Sequence, residues 1–196
     1  MPERDLDRLI ERLAEAADPP EFREAELAER VAELLDVTER VFGAAGVGLM
    51  LLDERGRLGL VGASSMAARE LEQAQLQTGV GPGVQSMQTN DLVTVLDLTV
   101  DPRWPQLSRS LAGHEIQGVL SAPISVHGRA IGNLNLFDSR ARVWTVSDLD
   151  RARGLAQVAA AWLQVAVAAH DSGRWVSQLR GRLGSHGSAD RAVDRS

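Results

Sequence analysis

Two apolar runs on either side of the dipeptide His127-Gly128 constrain the fold of this chain more than any other feature. They fill residues 118–136, and a glycine in so short a break can take the positive φ that closes a β-hairpin. Pro123 lies within the first run. Because proline has no backbone N–H, that strand is predicted to lie at a sheet edge or to be locally bulged.

Two asparagines in the second run carry the first indication of a site. Asn133 and Asn135 lie two positions apart, so both side chains point to one face of the sheet. Asparagine is uncommon in strands, and on a covered face it needs polar partners. Two interpretations follow: a sheet face partly open to solvent, or a ligand pocket above the sheet.

Several motifs along the chain, in order and spacing, resemble those of a GAF domain. The resemblance spans roughly residues 22 to 170 and is nearest to the variety that precedes ANTAR RNA-binding modules in actinobacterial antiterminators. It implies an α+β, PAS-like fold, with a central antiparallel sheet flanked by helices on both faces. A cavity is expected between the sheet and the segments 65–90 and 97–115. The motifs are Gly79–Gly83, Asp97–Pro105, Val119–Ile124, Gly128–Leu136 and Trp144–Leu149, followed by an Ala-rich helix.

The composition fits one domain with appendages and excludes several chemistries. The chain has 196 residues, 44% of them hydrophobic and 24% charged, which is ordinary for a globular protein. Cysteine is absent, which excludes disulfides, thiolate catalysis and thiolate metal sites. It also excludes two chemistries of GAF relatives, covalent bilin attachment and reduction of free methionine sulfoxide. The net charge of −6 argues against nonspecific nucleic-acid binding.

The sequence predicts a soluble, cytoplasmic protein without membrane attachment. Residues 1–12 are charged throughout and lack the apolar region of a signal peptide. The longest stretch without charge, residues 154–170, is too short and too polar for a membrane span.

Helical spacing and breakers divide the chain into three parts. We expect residues 1–20 to form an amphipathic helix that Pro19 and Pro20 end, 21–170 to form the domain that resembles a GAF domain, and 171–196 to form a tail. The segment 179–193 in the tail resembles the opening helices of an ANTAR module. It stops short of the three helices that such a module needs, so we do not expect RNA binding by this chain as it stands.

Within the domain, apolar periodicity predicts the remaining elements. Pro102 is expected near the start of the helix at 104–112, and Ser147 with Asp150 fits the capping pattern at the start of a long final helix. The elements predicted before the hairpin are a helix at 21–42, strands at 47–52, 57–64 and 91–96, and helices at 65–77, 84–88 and 104–112.

The final helix has an apolar stripe wider than one contact needs, which favours a homodimer. Leu9 and Leu13 in the first helix and Leu155 and Trp162 in the last are the predicted dimer contacts. A purely intramolecular role for the last helix is the alternative.

No catalytic or metal-binding constellation is recognisable. The Gly79–Gly83 loop lacks the spacing of a phosphate-binding loop, and the chain contains no lysine. This loop is either a simple tight turn or part of a pocket wall. The four histidines are scattered without metal-ligand spacing. No nucleophile, base and orienting group occur together, so no enzyme activity is expected.

The function implied by the resemblance is a sensor that binds an unidentified small molecule and signals through rearrangement of dimer helices, in transcription antitermination. The alternative is a GAF-fold dimerisation scaffold with no ligand. No cofactor is identified. The residues expected to contact a ligand, by family position or on the asparagine face, are Gly81, Val84, Asp97, Trp104, Asn133 and Asn135.

Overall fold

A computed structural model describes residues 24–53 and 55–169 of the chain. The predicted first helix with Leu9 and Leu13 and the tail at 171–196 lie outside the described residues. The described residues form these helices and strands, in chain order: α1 Glu24–Phe42, β1 Gly46–Leu52, β2 Leu58–Ala63, α2 Met66–Thr78, α3 Pro82–Thr89, β3 Val93–Val95, α4 Pro105–Ser110, β4 Gly118–Val126, β5 Arg129–Asp138 and α5 Val146–Ala169.

The strands form one antiparallel sheet in the order β2-β1-β5-β4-β3. Helices α1 and α5 pack on one face, and α2, α3 and α4 cover the other. The predicted α+β arrangement, an antiparallel sheet flanked by helices on both faces, is therefore confirmed.

The hairpin of β4 and β5 turns where the sequence predicts. His127 and Gly128 both take positive φ, 50° and 77°, the backbone conformation of a tight two-residue hairpin turn. Pro123 lies beyond the end of β3, which pairs only with residues 119–121 of β4. The register of β4 and β5 also shifts next to Ile124. β4 itself is an inner strand of the sheet, so of the two predicted alternatives the local bulge is confirmed and the sheet edge is not.

Two helices begin at a proline. Pro82 starts α3 and Pro105 starts α4, at a position where the missing N–H has no partner to lose. The helix predicted from residue 104 therefore begins within one residue of its predicted start, with Pro105 rather than Pro102 as the proline of its first turn.

The final helix begins with a different capping pair from the predicted one. The Asp148 carboxylate accepts hydrogen bonds from the Thr145 N–H and Oγ1, both at 2.9 Å, and the Asp148 N–H donates to Thr145 Oγ1 at 3.1 Å. This is a capping box in which aspartate takes the acidic position. The predicted cap at Ser147 and Asp150 is wrong by two residues, since the sequence repeats the same pattern with that offset.

The core between α1, α5 and the sheet is apolar. Leu155 and Trp162 belong to it, with exposed fractions of 0% and 1%. Their assignment to a dimer interface is wrong, because side chains so enclosed offer a second chain almost no surface. The homodimer itself stays a prediction. The exposed stripe of α5 is instead mainly polar, with Asp150, Arg153, Gln157, Ala161 and Gln164.

Candidate functional site

A layer of polar side chains lies between the opposite face of the sheet and the helices α2 and α3, and both the sheet and the helices contribute to it. Each of these side chains is fully buried, with an exposed fraction of 0%, and Gly83 beside them is buried as well. Burial of so many polar groups together is costly unless they bond one another. We call them the buried polar cluster: Glu72, Gln75, Gly83, Ser86, Ser121, Asn133 and Asn135.

A glycine on each side of the cluster allows the backbone there to lie in direct contact with the polar side chains. Gly48 pairs with Asn135 across β1 and β5, and a Cβ at Gly48 would lie 2.1 Å from Glu72 Oε1. A Cβ at Gly83 would lie 2.4 Å from the Asn133 Nδ2. Both distances are far below van der Waals contact, so the backbones of β1 and α3 lie directly against the polar side chains.

A continuous chain of hydrogen bonds links the sheet to both helices. Asn135 Nδ2 donates to the two carboxylate oxygens of Glu72 at 2.8 and 2.7 Å, and Ser121 Oγ donates to Asn135 Oδ1. Gln75 Nε2 donates to Glu72 Oε2 at 3.0 Å, and Gln75 Oε1 accepts from the Gly83 N–H at 2.7 Å. Gln75 therefore ties the first turn of α3 to α2.

Glu72 is an acid in an environment that favours its neutral form. Burial raises its pKa from 4.5 to about 8, against the opposing effect of the hydrogen bonds from Asn135 and Gln75. Among the described residues, no arginine forms an ion pair with it. Near neutral pH the protonated form therefore predominates.

Two members of the cluster have polar atoms with no hydrogen-bond partner among the residues that the structure describes. They are Asn133, at both Nδ2 and Oδ1, and Ser86, at Oγ. A buried polar group left unpaired costs about 1–3 kcal/mol, so native proteins rarely retain one without a reason. The amide of Asn133 thus presents a donor and an acceptor, side by side, that no protein group among the described residues bonds.

Four of the six predicted ligand residues lie around α3. Asn133 and Asn135 face α3, and because both are fully buried, the interpretation as a partly solvated sheet face is wrong. Gly81 caps the N-terminus of α3 with φ of 144°, and Val84 lies half-buried in its first turn.

The other two predicted residues lie apart from the cluster. Asp97 accepts hydrogen bonds from the N–H and Oγ1 of Thr99, at 2.9 and 2.6 Å, within its own loop. Trp104 packs in the apolar cluster of α2 and α4, with the Arg103 guanidinium 4.2 Å from its ring centroid. Neither is hydrogen-bonded to the buried polar cluster, and their contact with a ligand stays a prediction.

Sequence reasoning missed Glu72, Gln75, Ser86 and Ser121. One signal could have found two of them: Glu72 and Gln75 fall on the stripe of α2 that buries Leu71. A charged residue inside an apolar stripe is unusual and indicates a polar partner across the interface.

The space predicted to be a cavity, between the sheet and the segments 65–90 and 97–115, holds the buried polar cluster and the apolar cluster beside it. A cavity of about 230 Å³ opens instead beside β4, where β3 has ended. In the described ranges, no group of three or more His, Cys, Asp or Glu side chains could hold a metal ion. The cavity is lined by Asn90, Asp91, Leu92, Pro123, Ser125, Arg153, Ala156 and Gln157.

A five-stranded antiparallel sheet with helices on both faces defines this chain as an α+β domain. The GAF domain family model matches residues 26–166. The chain therefore belongs to the GAF domain family, whose members are regulatory and sensory domains. No curated protein gives a significant sequence match.

Solved structures share this fold at low sequence identity. The GAF domain of an Acinetobacter phosphoenolpyruvate-protein phosphotransferase is 14% identical, covers 87% of this chain and 99% of its own, and has a TM-score of 0.65. A free methionine-R-sulfoxide reductase from Neisseria meningitidis has 16% identity, coverage of 84% and 92%, and a TM-score of 0.62. Residues 122 to 287 of a methyl-accepting chemotaxis protein have 18% identity, coverage of 81% and 97%, and a TM-score of 0.56.

No helix among the described residues is both long and apolar enough to cross a membrane.

Proposed function

We propose that this GAF domain is a non-enzymatic, cytoplasmic sensor that binds a small molecule between α3 and the sheet. The observation that carries the proposal is the Asn133 amide, whose Nδ2 and Oδ1 are buried and have no partner within the described part of the chain. Such an amide pairs with a ligand that presents an acceptor beside a donor, as primary amides, ureas and nucleobase edges do. The Ser86 hydroxyl, on the buried side of α3 and also without a partner among the described residues, adds a third polar contact from the helix.

Helix α3 is the lid of this site. Gly83 lies against Asn133, so a ligand reaches the amide only when α3 moves away from the sheet. The backbone has positive φ at Gly79 and Gly81 before the helix and at Asn90 after it. Segments of this kind at helix ends can absorb the rotations of a moving element.

A signal can pass from the lid to the opposite face through β4. Ser121 belongs to the buried polar cluster, whereas its neighbours Leu120 and Ala122 face the core under α5. A ligand that binds the lifted arrangement more tightly shifts the population toward it. The shift then reaches α5 and alters the packing of the helices in a homodimer.

The output of this switch is the regulation of transcription antitermination. The proposal rests on the resemblance of residues 179–193 to the start of an ANTAR module. An ANTAR module would supply the RNA contacts, and the chain as it stands is not expected to make them.

Sensing without catalysis is supported by the chemistry of the cluster. Its members are amides, hydroxyls and one carboxyl, and the chain has no cysteine. Among the described residues, His114 and His127 are exposed at the surface, so neither is placed to activate Ser86 or Ser121.

The second candidate function is a dimerisation scaffold with no ligand. The close seating of α3 on Asn133 and Asn135 favours it, since packing of this kind leaves no room for a guest while α3 stays in place.

A ligand screen with a matched variant separates the two functions. Thermal shift and calorimetry against primary amides, ureas, nucleobases and nucleosides would be run on the wild type, on Asn133→Leu and on Gln73→Leu, an exposed amide of α2. We expect a compound that raises Tm in the wild type and in Gln73→Leu but not in Asn133→Leu. A dimer that responds to no compound, or a shift that persists in Asn133→Leu, would favour the scaffold or a different site.

A further inference from the structure

We propose that the cavity beside β4 is a second binding site, and that it takes a small zwitterion, an amino acid with a short aliphatic side chain. The cavity has a volume of about 230 Å³. One water occupies roughly 30 Å³ of the liquid, so the cavity has the volume of about seven waters and fits a molecule of this size. The proposal does not depend on ligand binding at Asn133.

The unequal lengths of two neighbouring strands create the cavity. β3 pairs only with residues 119–121 of β4, so in the described sheet β4 has no partner on that side from residue 122 onward. Pro123 and Ser125 lie on this unpaired stretch and line the cavity. The loop that follows α3 forms one wall, and α5 forms the other with Arg153 and Gln157.

Hydrogen bonds hold the loop wall against the hairpin of β4 and β5. Asn90 follows α3 with φ of 54°, its Oδ1 accepts from Ser125 Oγ, and its Nδ2 donates to the Gly128 carbonyl at 3.3 Å. Asp91 Oδ1 accepts the N–H of Leu92 at 2.8 Å. A wall that is ordered before a ligand binds lowers the entropic cost of binding.

The two walls carry opposite charges that are not paired with each other. Asp91 lies in the loop and Arg153 in α5, and the described residues form no ion pair between the two. Arg153 Nη1 contacts Asp150 Oδ1 at 3.0 Å, but both side chains are more than half exposed, and such pairs are weak. The Arg153 guanidinium can therefore bind a ligand carboxylate.

A ligand with both charges fits these walls better than one with a single charge. A guanidinium binds a carboxylate through two parallel N–H donors, and the Asp91 carboxylate accepts from an ammonium group. An anion alone meets the like charge of Asp91, and a cation alone meets that of Arg153. The charge pattern therefore favours a zwitterion.

The remaining wall is apolar and suits an aliphatic side chain. Leu92, Pro123 and Ala156 contribute it, and Ala156 has an exposed fraction of only 2%. These groups cannot bond a polar atom of a ligand, whereas burying methyl groups against them is favourable. A small aliphatic amino acid such as valine matches both the charged and the apolar walls.

An occupant of this cavity connects two helices on opposite faces of the sheet. Asp91 lies two residues after the end of α3, and Arg153 lies in α5. A ligand bonded to both residues stabilises the relative placement of α3 and α5 that the structure shows.

Nuclear magnetic resonance titration of the isotope-labelled full-length chain tests the site. Valine is compared with isovalerate, which lacks its ammonium group, and with isobutylamine, which lacks its carboxylate. We expect valine to move the side-chain amide signals of Asn90 and Gln157 to saturation, while those of the exposed Gln73 stay in place. Isovalerate and isobutylamine should bind at least about tenfold more weakly, because each loses a charged hydrogen bond.

Two variants with a matched control test the assigned roles. Arg153→Gln and Asp91→Asn each remove one charge and should weaken valine binding at least about tenfold. Arg40→Gln breaks a similar exposed ion pair, with Asp36 in α1, and should bind valine like the wild type. All three substitutions are at exposed positions, so the fold should be retained.

Three results would overturn the proposal: no response to valine, equal binding of valine and isovalerate or isobutylamine, or unchanged affinity in Arg153→Gln and Asp91→Asn. Movement of the Asn133 signals by valine without movement of those of Asn90 would overturn it as well. None of the three compounds is an amide, a urea or a nucleobase, so this result and that of the ligand screen at Asn133 are separate.

Discussion

At Gly48 and Gly83 the absence of a side chain allows two backbones to close over polar groups. A Cβ at either position would come within 2.4 Å of a polar atom of the cluster. These residues are therefore as much part of the site as the side chains that bond one another. Their sequence signal is weak, because glycine in a strand or a helix is also common at bulges, bends and helix ends.

Two buried serines test the hydrogen-bond assignments at the residue scale. Ser121 donates to Asn135 Oδ1, whereas Ser86 has no partner in the described ranges, and both have an exposed fraction of 0%. We predict that Ser121→Ala lowers the free energy of unfolding by about 1–3 kcal/mol, because the Asn135 oxygen loses its donor. Ser86→Ala should leave it unchanged or raise it. Urea denaturation measures both, and equal losses would contradict the assigned network.

At this scale, contacts between residues that lie far apart along the chain cannot be predicted from the sequence. The shared face of Asn133 and Asn135 follows from local alternation, which any strand obeys. The partner of Asn135 is Glu72, 63 positions earlier in another element. No spacing rule connects residues so far apart, so the pair becomes visible only when the sheet order and helix docking are known.

At the scale of single elements, the sequence predicts more. Periodicity and turn residues are local, so they locate the hairpin at His127 and the strands β1 and β2 to within about two residues, the usual uncertainty of element ends. Starts are less certain where one signal occurs twice. Pro102 and Pro105 both suit the start of α4, and two capping patterns overlap before α5.

The overlapping caps give a prediction with a built-in control. Thr145→Ala should lower the free energy of unfolding by about 0.5–2 kcal/mol, because it removes the side-chain half of the capping box. Ser147→Ala, at an exposed position inside the helix, should change it by less than about 0.5 kcal/mol. Chemical denaturation measures both. If Ser147→Ala lowers the free energy of unfolding more than Thr145→Ala does, the N-cap is Ser147, as the sequence pattern indicates.

At the scale of the whole molecule, the sheet separates two different interiors. The face under α1 and α5 is apolar, and the face under α2 and α3 holds the polar layer. The wide apolar stripe of α5 favours a contact with a second chain, yet Leu155 and Trp162 are enclosed by their own chain. Sequence alone cannot distinguish an apolar stripe that is buried in its own domain from one that is buried in a dimer interface, because the stripe has the same spacing in both cases.

The stability of the whole domain should depend on pH through Glu72. Its pKa is raised from 4.5 in the unfolded chain to about 8 in the folded one. The folded state therefore holds a proton that the unfolded state has lost, and stability falls as the pH rises between these values. We predict that the folding constant of the wild type drops by up to about tenfold per pH unit relative to Glu72→Gln.

Urea denaturation at a series of pH values measures the difference in unfolding free energy between the wild type and Glu72→Gln. The contributions of the titratable groups that both proteins share cancel in this difference. Glu70→Gln is the control and should run parallel to the wild type. Parallel curves for the wild type and Glu72→Gln would mean that Glu72 titrates alike in the folded and unfolded chains.

The most direct test of the account observes Asn133 itself. In isotope-labelled protein, the side-chain amide signals of Asn133 would be followed while primary amides, ureas, nucleobases and nucleosides are added in turn. The account predicts that at least one compound moves these signals to saturation while those of the exposed Gln73 stay in place. If the Asn133 amide responds to none of them, the polar face under α3 is a closed structural layer and the sensor function is contradicted.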